Sequence, residues 1–144
     1  MKRKGSKVEC SDERMLDLMR LYRQQIKISE TISHNVFCEI VKKPSRRFWV
    51  SGKRAAVVIS AIMQGDNILS KMREPKREMY NEIYARAIKI KNQNPQLSML
   101  VICESVIEET APKIYLSPGS AKIMVYKYLQ KKTSLNENNR RNNR

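Results

Sequence analysis

The chain has 144 residues, 41% of them hydrophobic, and its 29 Lys and Arg outnumber 14 Asp and Glu to leave a formal net charge of +15. That length and apolar content suit about one domain with a packed core, and no apolar run approaches the roughly 18 residues that cross a bilayer. Cys10, Cys38 and Cys103 are odd in number, widely spaced and without a CxxC pair, which argues against a disulfide framework or a zinc site.

In chain order, residues 1–11 read as a basic, flexible arm. The charged, amphipathic SDERMLDLMRLYR follows it, which is not the pattern of a secretory leader, so the expected location is the cytoplasm. Met15, Met19, Tyr22 and Ile26 recur at the spacing of one helical face and predict a first helix. A second helix is expected from near Ser33, with Val36, Phe37, Ile40 and Val41 inward and Lys42 and Lys43 outward. It should stop before Pro44, because proline disfavours helical geometry in the residue before it. Phe48-Trp49-Val50 reads as extended, Ser51 as the N-cap of a third helix, and Gly65 as its C-terminal stop. Residues 66–75 read as a linker.

The same outline then returns. Met79, Ile83 and Ile90 mark a fourth helix, residues 97–106 a fifth that ends before Pro112, and Ile114-Tyr115-Leu116 a second extended tripeptide. Ser117 then caps a sixth helix, with Pro118 at the first position, where a missing amide hydrogen is harmless. Residues 133–144 hold almost no apolar side chains and read as a disordered basic tail.

The recurrence is an internal repeat. An offset of 65 lays ISHNVFCEIV on LSMLVICESV, matching Val36/Val101, Cys38/Cys103 and Glu39/Glu104. An offset of 66 lays residues 48–64 on 114–130, with Ser51/Ser117, Ala55/Ala121 and Gln64/Gln130 identical, and an offset of 62 lays LYRQQIKI on IYARAIKI. SMLVICESVIEE would be a strand by propensity alone, and its periodic counterpart decides for helix. The expected fold is all-α: two tandem three-helix units, 12–65 and 76–132, related by a pseudo-two-fold axis around one shared core. FWV and IYL offer the place where a minimal two-stranded ribbon could form.

Charge separates the two units. From Ile40 to Gly65 there are six cations and no acid, whereas residues 105–130 hold three cations and two acids. Lys53 and Arg54 stand at a helix start, the end that repels cations unless an anion is near. The candidate nucleic-acid-binding residues are therefore Lys42, Lys43, Arg46, Arg47, Ser51, Gly52, Lys53 and Arg54, the side chains neutralising phosphates and the helix-start amides fixing register. Trp49 could stack on a base, but its alignment with Tyr115 between apolar neighbours favours a core role. The connection from Lys43 to Ser51 is longer than a helix-turn-helix turn.

Catalysis is not expected. His34 is the lone histidine and reads as a surface residue, SPGSAK lacks the spacing of a phosphate loop, and no metal ligand set or cofactor motif is present. Cys38 and Cys103 read as small core residues. The expected function is non-enzymatic binding of nucleic acid, duplex DNA rather than RNA, with the second unit completing the core or serving a protein partner or self-association. The alternative is a structural or adaptor protein of an assembly, whose basic surface meets an acidic protein. Neither a membrane nor a small-molecule substrate is expected as partner.

Overall fold

The computed structural model describes residues 4–29 and 35–142, with side chains over 11–28 and 36–135. The expected helix start near Ser33, the placement of His34 and the outermost residues of both ends lie outside the described residues. Six α-helices are present among the described residues: α1 (Lys4–Ser29), α2 (Asn35–Ile40), α3 (Gly52–Met63), α4 (Glu74–Gln93), α5 (Met99–Ile107) and α6 (Pro118–Asn142). The fold is all-α, and no strand occurs among these residues.

Local chemistry sets most boundaries. Ser51 and Ser98 sit in extended geometry and accept hydrogen bonds from the Arg54 and Val101 amides, capping α3 and α5. Ser117 accepts from the Ser120 amide at 3.1 Å, and Pro118 opens α6. At the end of α3, Gly65 takes a left-handed φ of 87°, the Asp66 amide reaches the Ala61 carbonyl and the Gly65 amide that of Ile62. This paired closure needs a residue that tolerates positive φ. SMLVICESVI is helical, as its counterpart in the first half implies. Residues 66–75, read as a linker, contain a short 3-10 turn (Ile68–Lys71) and the first two residues of α4.

The helices also run into both charged ends. α1 starts at Lys4, inside the segment read as a flexible arm, and α6 extends to Asn142, inside the segment read as a disordered tail. Propagating a helix already nucleated by packing is far cheaper than starting one. At the tail, the Thr133 hydroxyl donates back to the Leu129 carbonyl at 2.9 Å.

Packing departs from consecutive grouping. Instead of one shared core there are two hydrophobic clusters. One joins α3, α4 and α5 around Val58, Ile59, Ile83, Ile102 and Val106; the other joins α1, α2 and α6 around Leu18, Leu21, Phe37, Ile40 and Val125. Each half of the chain thus gives its third helix to the other half. Among the described residues no Cα of a helix in one cluster lies within 8 Å of a helix Cα in the other. Each fully buried large side chain contributes about 1.5–3 kcal/mol to its cluster.

Two crossover segments, 41–51 and 108–117, connect the clusters. Built of turns, bends and short irregular stretches, each carries the chain from one cluster to the start of a helix in the other. They meet in one antiparallel bridge between Ser45 and Ala111, not along FWV and IYL. Those tripeptides diverge because alternate residues serve different cores. Phe48 and Val50 join the α3–α5 cluster while Trp49 lies on the other; Ile114 and Leu116 join the α1–α2–α6 cluster while Tyr115 lies on the first. Phe48 also donates its amide to the Ile107 carbonyl at 3.0 Å and stacks on Tyr115 with ring centroids 6.1 Å apart. Tyr115 accepts a left-handed φ of 59° in return for that placement, unusual for a bulky residue.

Candidate nucleic-acid interface

The eight residues singled out from the sequence lie on the first crossover and the start of α3. Lys42 and Lys43 follow α2 in a turn whose amides reach the Glu39 and Ile40 carbonyls at 3.2 and 3.1 Å; Lys42 is exposed and Lys43 half-buried. Arg46 is anchored at its base and mostly exposed at its tip. Its amide donates to Asp17 at 3.0 Å, while its side chain remains 70% exposed with Nε 3.7 Å from the same carboxylate. Arg47 turns inward instead. Its guanidinium donates to the Phe48 and Val50 carbonyls at 3.1 and 3.0 Å and lies 5.2 Å over the Trp49 ring, so it secures the crossover.

The remaining four are split between scaffold and surface. Ser51 Oγ already accepts the Arg54 amide at 3.1 Å. Gly52 lies against α5, where a Cβ would stand 2.5 Å from Glu104 Cγ, so the two helices approach through the missing side chain. An acidic side chain from α5 therefore stands beside the first turn of α3, which the dipole favours and the local sequence did not supply. Lys53 and Arg54 are exposed. Burial pushes the Tyr80 hydroxyl up, and a hydrogen bond from Arg54 partly offsets it. The set spans the waist: Lys42, Lys43 and Arg46 on the α1–α2 side, Lys53 and Arg54 on the α4–α5 side.

Beneath the crossover lies a buried carboxylate that the sequence reading missed. Asp17 on α1 is 2% exposed. It accepts from Ser45 Oγ (2.7 Å), the Arg46 amide (3.0 Å), Trp49 Nε1 (3.2 Å) and the Arg20 guanidinium (2.9 and 2.7 Å). Desolvation pushes the carboxyl pKa up. Ser45, the Arg46 amide and Arg20 together outweigh it and hold the group below its ordinary value. Trp49 also donates its indole N–H to Ser45 Oγ at 2.8 Å and is half-buried, so its polar edge faces inward. The available signal was Asp17 itself, an acid aligned at offset 62 with the apolar Met79.

Charge pairing differs between the halves. Lys113 on the second crossover pairs with Glu78 at 2.6 Å, and Arg86 of α4 with Glu82 and Glu109 at 2.8 and 2.9 Å. At offsets of 62 and 66 these acids align with Leu16, Arg20 and Lys43. Among the described residues, no ion pair within 4.0 Å engages Lys42, Lys43, Lys53 or Arg54. No group of three or more His, Cys, Asp or Glu among the described residues could hold a metal ion, and no helix there is long and apolar enough to cross a membrane. Comparison with protein-family models, curated proteins and solved structures gave no match to the chain.

Proposed function

We propose that the chain is a non-enzymatic nucleic-acid-binding protein of the cytoplasm, that duplex DNA is its ligand, and that the first crossover is the contact. We further infer that it is a duplicated three-helix unit with pseudo-two-fold symmetry in which the third helices are exchanged. The observation that supports the binding reading is the unequal pairing of the two halves. The second half neutralises its waist cations with Glu78, Glu82 and Glu109, whereas the first has Leu16, Arg20 and Lys43 at those positions and, among the described residues, leaves Lys42, Lys43, Lys53 and Arg54 without an ion pair. Like charges without ion-pair partners repel one another, and a polyanion removes that cost.

Lys42, Lys43, Arg46, Lys53 and Arg54 would neutralise phosphates, with Arg47, Ser51 and Gly52 building the scaffold. Five neutralised phosphates give a log–log salt slope of about −4.5, so affinity for a labelled 20-base-pair duplex should fall about 500-fold between 50 and 200 mM salt. Lys42→Glu with Lys43→Glu and Arg46→Glu should weaken binding at least tenfold and flatten the slope. Salt-independent binding, or a folded triple variant that binds as tightly as the parent, would overturn this assignment.

A second reading has its own support. Val57, Met63, Leu100 and Val101 are exposed on α3 and α5 around a shallow groove whose lining includes no charged side chain. An adaptor for an acidic protein would use such an apolar face beside the basic waist. Purified protein with a raised 260/280 nm ratio that falls in high salt favours nucleic acid. Nucleic-acid-free preparations that carry an acidic protein favour the adaptor.

A further inference from the structure

We propose that Asp17 is a positioning residue for the basic waist: its buried carboxylate sets the backbone of the first crossover so that Arg46 is presented to the ligand together with Lys42 and Lys43. The inference rests on the reading of that crossover as the nucleic-acid contact.

Both ends of the crossover's polar turn converge on Asp17. Ser45 Oγ, the Arg46 amide and Trp49 Nε1 all reach the same oxygen, Oδ2, and Arg20 occupies Oδ1 from α1 itself. Ser45 is simultaneously the residue whose backbone bridges to Ala111, so the carboxylate is tied to the point where the two crossovers meet. Arg46 leaves this anchor with its side chain mostly in solvent, its Nε 3.7 Å from Oδ1. Fixing the base of a long side chain while leaving its charged end in solvent lowers the ordering cost of a later contact.

Stability alone does not call for the network, because the chain contains its own control. The positions that align with Asp17, Ser45 and Trp49 are Met79, Ala111 and Tyr115. There the second crossover packs with no buried carboxylate: Met79 and Ala111 are buried, Tyr115 stacks on Phe48, and the side chains of the nearby Glu78 and Glu109 reach solvent. Apolar packing of similar volume generally equals or exceeds a buried ionic network in stability. The half that has the open cations is the half that retains the carboxylate. Nor does Asp17 serve by charge, since a negative group under a basic surface opposes polyanion binding and Arg20 offsets it at 2.7 Å.

The test installs the apolar set of the second half in the first, within the full chain: Asp17→Met, Ser45→Ala and Trp49→Tyr together, with Asp17→Asn alone as the second variant. Circular dichroism melting establishes that each is folded, and Trp49 emission follows the crossover in Asp17→Asn. Binding is read by anisotropy of a labelled 20-base-pair duplex at 50 and 200 mM salt. Both variants raise the net charge by one, so charge alone predicts tighter binding. The positioning role predicts the opposite: at least tenfold weaker binding at 50 mM salt and a slope shallower by about one phosphate contact. If the triple variant does not melt cooperatively, Asp17→Asn carries the same comparison. Parent-like or tighter binding by a folded variant overturns the positioning role alone. Failure of the parent chain to bind the duplex overturns the functional reading and the role with it.

Discussion

Ser45 and Ala111 exchange both backbone hydrogen bonds, at 2.9 and 3.0 Å, and stand 66 residues apart, the interval that also lays Ser51 on Ser117. The two crossovers therefore meet at positions that correspond in the repeat. Beyond this point each carries its third helix onto the first two helices of the other half. The two crossovers link the clusters, and the first brings Lys42, Lys43 and Arg46 together with the anchor, Asp17.

Because, among the described residues, no helix Cα of one cluster lies within 8 Å of a helix Cα in the other, damage to one should leave the other standing. Ile59→Ala removes a fully buried side chain from the α3–α5 cluster and should cost about 2–4 kcal/mol there. Trp49, the single tryptophan, reports on the α1–α2–α6 cluster. Urea unfolding followed by circular dichroism should then begin at lower denaturant than the Trp49 transition, where coincident curves would show one cooperative unit.

Gly52 and Glu104 should be coupled. Gly52→Ala drives a Cβ to 2.5 Å from Glu104 Cγ and should destabilise the chain by about 1 kcal/mol despite the better helix propensity of alanine. Adding Glu104→Ala removes the obstructing atom and should return most of the loss. A double-mutant cycle measured by denaturant unfolding gives the coupling directly.

Asp17 should make the chain acid-sensitive. Its folded pKa lies below the ordinary 3.8, so its contribution is complete above that value and is lost as pH falls through the depressed folded value. Asp17→Asn should be less stable than the parent by about 1–3 kcal/mol at pH 7, and the gap should close below about pH 4. Melting curves from pH 7 to pH 2.5 test the sign.

At the alkaline end, the opposite sign applies. Burial raises the Cys103 thiol to about 11 from 9.0, and burial with nearby Glu82 raises the Tyr115 hydroxyl to about 12 from 10.0. Folding therefore favours their protonated forms, and the stability they contribute is full below pH 9 and lost progressively as pH rises to about 12. Midpoints of urea unfolding should fall steadily over that range. At pH 8, alkylation of Cys103 should require unfolding, since its side chain is fully buried.

Read from the linear chain, helix identity, caps and the repeat itself were accessible because each is local. Ser51, Ser117 and Pro118 act within one turn, Gly65 through its own φ, and the Val36 and Phe37 face through periodicity that needs no partner. The matched pair of halves even settles α5 as helix against its β-branched composition. Charge was equally plain, as six cations between Ile40 and Gly65 need only counting.

What only the tertiary structure decided is which helices share a core and what each cation contacts. Periodicity shows that a face is apolar but not whose face covers it, so the exchange of α3 and α6 between halves is invisible until the crossovers are followed from one cluster to the other. The same limit applied at the waist: Arg47 turns onto the Phe48 and Val50 carbonyls, Arg46 rests on a carboxylate 29 residues away, and Glu104 reaches Gly52 from 52 residues away. Sequence specifies local torsions and the inventory of charge, whereas pairing depends on distances that exist only after the chain has crossed over itself.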